Sequence, residues 1–260
     1  MTPQRIVCLT EETVETLYLM GEDARIVGVS GFVVRPPEAR RKPKVSTFTD
    51  AKIDEILALK PDLVFTFSDI QADITADLMR AGLEVHAFNH RTVAGIFSMI
   101  RTVGALIGEP SKAAALSADL QSRIDQAREK TKTLKRRPRV YFEEWDEPMI
   151  SAIGWVSELI EIAGGENVFA DRAHEQAAKD RFVTSEEVIN AAPDIIIGSW
   201  CGKGFKKTQV AARPGWDEIP AVKNGHLYEI KSAIILQPGP AALTDGLEEI
   251  QKVIQNFTRP

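Results

Sequence analysis

Short apolar runs alternate with amphipathic stripes along the first ninety residues. Arg5-Ile6-Val7-Cys8-Leu9 reads as a strand, and Val14, Leu17, Tyr18 and Met20 then mark one face of a helix from about Thr13, stopped by Gly21. Ile26-Val27-Gly28-Val29 is a second strand, and Ile53 to Leu59 a short helix ended at Pro61. Leu63-Val64-Phe65-Thr66-Phe67 is almost unbroken apolar sequence, the pattern of a parallel strand covered on both faces. Ile74 to Met79 predicts another helix, halted at Gly82, and Glu84 to Phe88 another strand. The alternation predicts an α/β unit built on a parallel sheet.

The plan then repeats. Ile53-Asp54-Glu55-Ile56-Leu57-Ala58-Leu59-Lys60-Pro61-Asp62-Leu63-Val64-Phe65 recurs 132 residues later as Ser185-Glu186-Glu187-Val188-Ile189-Asn190-Ala191-Ala192-Pro193-Asp194-Ile195-Ile196-Ile197. Arg5-Ile6-Val7 has its echo in Arg139-Val140-Tyr141, and Val14 to Gly21 in Val156 to Gly164. Three matches in one order predict two related α/β lobes. Between them, Ala113, Leu116, Leu120, Ile124, Ala127 and Leu134 keep helical spacing behind Pro110, a residue welcome at a first helical position. The expected organisation is a first lobe over 1–109, a rigid linker helix over 110–137 and a second lobe over 138–260. The basic run Lys130 to Arg137 is expected to complement the end of that helix and face solvent.

Composition removes several functions. Of 260 residues, 44% are hydrophobic and 27% charged, which is ordinary for a globular chain. The formal net charge of −5 has the wrong sign for a nucleic-acid footprint, and no stretch has the length of a membrane span. No signal peptide precedes the first strand, so a native start at Met1 would mean a cytoplasmic protein. Cys8 and Cys201 form no disulfide framework. His86, His90, His174 and His226 lack the spacing of a metal site. Cys201, near Lys203, has no histidine placed by sequence to activate it, and neither a phosphate loop nor a nucleophile elbow is present, so no catalysis is expected.

A set of ordered fragments carries a family resemblance. They are Arg5 to Thr10 with Glu15 and Gly21, Gly28-Val29-Ser30-Gly31-Phe32, Pro36-Pro37, Val45-Ser46-Thr47-Phe48 and Leu59 to Val64. Gly164 to Phe169, Trp216-Asp217 and Asn224 to Tyr228 complete the set. The chain resembles the helix-hinged (class III) substrate-binding proteins of ABC transporters, which serve cobalamin, ferric siderophores and haem, and within them the cobalamin-binding branch. The resemblance implies a periplasmic, monomeric, non-catalytic protein that captures a small-molecule ligand, a cobalamin-like corrinoid, between its lobes for a transporter permease. A cytosolic corrinoid carrier and a ferric-siderophore or haem binder remain alternatives. The family's cobalamin-facing aromatics fall on Phe32, Phe48 and Phe67, and its transporter-docking glutamate falls on Ala72, beside Asp73.

Ligands of open parallel sheets sit beyond the carboxyl ends of the strands. That rule collects Thr10, Glu11, Glu12, Phe32, Phe48 and Phe67 from the first lobe, and Glu143, Glu144, Trp145 and Trp200 from the second. Asp146 and Glu147 fall in the same expected loop as Glu143 and Glu144. With only Lys203, His90 and Arg35 to offset these acids, the rim is expected to be negative, favouring a corrinoid over an anionic catecholate.

Overall fold

The computed structural model describes residues 2–258. It resolves into two compact units, residues 2–90 with 94–120, and residues 91–93 with 121–258.

The first unit opens with β1 (Ile6–Cys8), α1 (Glu11–Leu19), β2 (Ile26–Ser30) and β3 (Lys44–Ser46). It continues with α2 (Ile53–Ala58), β4 (Leu63–Phe67), α3 (Ala72–Arg80) and β5 (Val85–Phe88). The five strands are all parallel, in the order β3-β2-β1-β4-β5. Hydrophobic burial holds the layers together: Val7, Leu9 and Val64 from the sheet pack with Ile56 of α2 and Ile74 and Leu78 of α3.

Several helices escaped the sequence reading. The longest of them, α4 (Val93–Leu106), follows β5, and Val93, Ile96, Phe97, Ile100 and Val103 form its buried face. Next, α5 (Pro110–Thr131) runs from the first unit into the second, whose long segment begins at Gln121. It stops three residues before Leu134. Arg136 and Arg137 are exposed, as expected, and also pair with the second unit: Arg136 grips both oxygens of Asp194 at 2.7 and 2.8 Å, and Arg137 pairs with Glu161.

The second unit contains β6 (Arg139–Asp146), β7 (Met149–Ser151), α6 (Gly154–Ile162), β8 (Glu166–Asn167) and α7 (Ser185–Ala191). After these come β9 (Ile195–Gly198), α8 (Lys207–Ala211), α9 (Pro220–Lys223), β10 (Leu227–Glu229), α10 (Ser232–Ile235) and α11 (Leu247–Thr258). The strand order is β10-β9-β6-β7 with β8 also beside β6, and only β7 is antiparallel. Its core gathers Tyr141, Val188, Ile196, Trp216 and Phe169.

The sequence repeat is a structural repeat. Lys60 and Ala192, matched positions before the two Pro-Asp pairs, both take a left-handed backbone, with φ of 48° and 44°. Asp62 then accepts the backbone N–H groups of Gln4 and Arg5 at 2.8 and 2.9 Å, and Asp194 accepts that of Arg139 at 2.9 Å. In each unit the aspartate carboxylate therefore pins the start of the first strand beside its neighbour.

Candidate functional site

In the first unit the strand ends are held by one buried side chain that no sequence pattern marks. Gln71, fully buried ahead of α3, accepts the N–H of Phe67 at 3.0 Å and donates to the carbonyls of Phe48 at 3.0 Å and Leu9 at 3.4 Å. It thereby joins the ends of β1 and β4 to the loop after β3, and fixes the backbone of two expected ligand aromatics. The three aromatics differ. Phe67 is buried at 6% exposure, Phe48 is half-buried, and Phe32 stands 57% exposed just beyond β2. A large apolar ring left that open at a strand end has no packing role of comparable size.

Thr10, Glu11 and Glu12 form the other side of this rim. Thr10 is the residue before α1, but its hydroxyl donates to Glu12 rather than capping the helix. Glu11 and Glu12 occupy the first helical turn, not a loop, and both are buried. Burial pushes the Glu11 carboxyl up to about 8, helped by the charges of Glu12 and Glu15 and opposed by Arg35. Burial likewise raises Glu12 to about 7, against hydrogen bonds from Thr10 and its own backbone N–H.

The second unit corrects the expectation of a negative rim. Glu143, Glu144, Trp145 and Asp146 do not lie in a loop: β6 runs through them because β7 supplies an antiparallel partner, pairing Trp145 with Ile150 and Asp146 with Met149. Strand alternation puts Tyr141 and Glu143 on one face, and Trp145, beyond a bulge in the β6–β7 pairing, packs against the same core as Tyr141. Glu143 is fully buried and accepts from Arg213 at 2.6 and 3.0 Å, Trp200 Nε1 at 3.1 Å and Tyr141 Oη at 3.1 Å. Glu144 accepts from the buried Arg181 at 2.5 and 3.2 Å, and Asp146 pairs with Lys203 at 2.6 Å. Arg181 and Arg213 lie 37 and 70 residues along the chain from their partners, so no spacing announced them. Each of these three acids is matched by a cation, so their charge is offset locally rather than summed.

Trp200 leaves β9 and is mostly buried at 4% exposure, its ring 5.1 Å from that of Phe205. Phe205 can come so close only because Gly198 has no side chain, since a Cβ there would lie 1.8 Å from the phenyl ring. The Lys203 ammonium rests 4.2 Å from the Trp145 ring centre and 5.1 Å from that of Trp200. Trp200 and Lys203 also line a cleft of about 220 Å³ shared with Glu229, Lys231 and Ser232. Trp155, by contrast, is packing: its indole N–H reaches the carbonyl of Ile235 at 2.8 Å. Cys8 is buried and Cys201 exposed, and the two form no disulfide. Among the described residues, no three His, Cys, Asp or Glu side chains converge as a metal site would need, and no helix is long and apolar enough to cross a membrane.

The family model described as "Periplasmic binding protein" matches residues 6–234. The chain belongs to that family. It is a substrate-binding protein of the ABC-transporter type, in a family of binding proteins rather than enzymes. A Bacillus subtilis protein named as an uncharacterised ABC transporter substrate-binding lipoprotein is 27% identical over 97% of this chain and 80% of its own length. A vitamin B12-binding protein of Vibrio parahaemolyticus is 27% identical over 94% of this chain and 87% of its own. Among solved structures, a periplasmic heme-binding protein from Roseiflexus superposes with a TM-score of 0.84 at 22% identity, covering 98% of this chain and 99% of the other. That likeness establishes the shared bilobal α/β fold of this family.

Proposed function

We propose that this protein captures a cobalamin-like corrinoid and delivers it to an ABC-transporter permease outside the cytoplasmic membrane. Sequence relatedness to vitamin B12-binding proteins over nearly the whole chain supports the ligand class. The observation that carries it is the charge balance of the strand ends: Arg35, Arg181, Lys203 and Arg213 are each matched by a carboxylate. An anionic ferric catecholate would have to break one of these pairs to be neutralised. A large, uncharged-edged ligand carrying amides needs only apolar faces and hydrogen-bonding groups. Within the first unit Phe32, Phe48 and Phe67 would supply such faces, with Thr10, Glu11 and Glu12 as polar partners; within the second unit Trp145 and Trp200 are the candidate aromatic faces. Glu143 and Glu144 serve by holding Trp200 and Arg181.

Haem is the second reading, favoured by the fold shared with the heme-binding protein. Incubation with cobalamin, cobinamide, haem and a ferric catecholate, followed by desalting and visible spectroscopy, separates the two. One corrinoid retained per chain is expected. Retention of haem or the catecholate without any corrinoid would overturn the reading.

A further inference from the structure

Buried side-chain atoms without a hydrogen-bond partner occur singly at Ser46 and Ser199, but at the opening of α1 they fall on two consecutive residues. Glu11 is 7% exposed and Glu12 1%, and in each the Oε2 oxygen is buried with no hydrogen-bond partner. Buried polar atoms in native proteins almost always find a partner, so two orphans on consecutive residues mark a place where something else completes the bonding. Nearby charges do not complete it. Arg35 is drawn to Glu15 at 3.2 Å. On β1 the titratable neighbour is Cys8, whose thiol burial pushes up to about 12, with Lys42 beyond it. α4 touches α1 through Met99, and its one charged residue, Arg101, is exposed. Asp23 and Arg25 lie past the opposite end of α1.

From these orphaned oxygens we infer that Glu11 and Glu12 form a binding site for a primary carboxamide of the ligand, with the carboxyl groups engaging it in their protonated form. A neutral carboxylic acid and a primary carboxamide are complementary: the acid O–H donates to the amide oxygen, and the acid carbonyl accepts an amide N–H. An ionised carboxylate keeps only the second of these bonds. Glu11 and Glu12 are held near neutrality in their protonation by burial, so the protonated form is available where it is needed. A corrinoid carries primary carboxamides around its edge, whereas haem carries carboxylates and none. The inference rests on the corrinoid reading and assigns to it a particular functional group.

The test uses dicyanocobinamide, which keeps the peripheral amides and has both axial positions filled, so no cobalt-bound water titrates. Binding to wild-type protein is measured by visible titration at pH 6 and pH 9, beside Glu11→Gln, Glu12→Gln and the double variant. Glutamine keeps an N–H donor and a carbonyl acceptor at every pH. Wild-type affinity is expected to fall about tenfold or more between the two values, as the protonated fraction of each carboxyl drops about tenfold for every pH unit above its titration. The double variant should hold its pH 6 affinity at pH 9, and Glu11→Gln alone, at the less buried position, should flatten part of the profile. Binding that is equally tight at both values in wild type, or a fall that persists in the double variant, overturns the carboxamide site and leaves the corrinoid reading standing. Absence of binding at either pH overturns both.

Discussion

Arg213 closes on Glu143 with both guanidinium nitrogens, across 70 residues of sequence and inside a unit where the carboxylate has no exposure to water. The same carboxylate receives Trp200 Nε1, so the ion pair and the indole share one anchor. Removing Arg213 alone strands a buried charge, and such a loss costs about 3–5 kcal/mol. Arg213→Met should therefore lower the denaturant midpoint strongly. The double variant Arg213→Met with Glu143→Leu should recover part of that loss, because no unpaired charge remains. An unchanged midpoint in the single variant would contradict the pairing.

Phe32 and Phe67 separate stability from binding. Phe67→Ala empties a buried position and should destabilise by about 3–5 kcal/mol. Phe32→Ala removes a ring already 57% exposed, so stability should move by no more than about 0.5 kcal/mol. Its effect should appear in corrinoid affinity instead. Paired melting curves and visible titrations measure both.

Native stability should fall as pH rises from about 4.5 toward 8. Unfolded, Glu11 and Glu12 titrate near 4.5, while folded they titrate at about 8 and 7. Over that window the folded chain holds more protons than the unfolded one, and each unit of separation corresponds to about 1.4 kcal/mol. Chemical denaturation of the ligand-free protein at pH 5, 7 and 9 checks the direction. The double glutamine variant should remove the slope.

Lys60 and Ala192 hold left-handed backbones that favour glycine. Lys60→Gly and Ala192→Gly are each expected to raise stability, by about 1 kcal/mol. Equilibrium unfolding in urea reads this directly, and a loss of stability in both variants would refute it.

The parts legible in the sequence were those written locally. The Pro-Asp repeat, the buried run Leu63 to Phe67 and the short helices all depend on residues adjacent in the chain, and the structure keeps them with small shifts at their ends. α4 and α11 were passed over although Val93, Ile96, Ile100 and Val103, and Leu247, Ile250 and Ile254, do keep helical spacing. The rim chemistry, by contrast, was hidden. Its acids were visible, but Arg181, Arg213 and Gln71 meet their partners through the fold alone. Charge counted along a chain therefore misjudged charge gathered in space.

The grip of Asp62 on Gln4 and Arg5 has a mechanical consequence. β1 is the central strand of its sheet, bonded on both sides, and the carboxylate locks its leading end to the joint before β4. Tension applied through the N-terminus would load these bonds together in shear rather than peel them one at a time. The first unit is thus built to stay folded when pulled from its leading end, with Asp62 as the rivet that sets the breaking force.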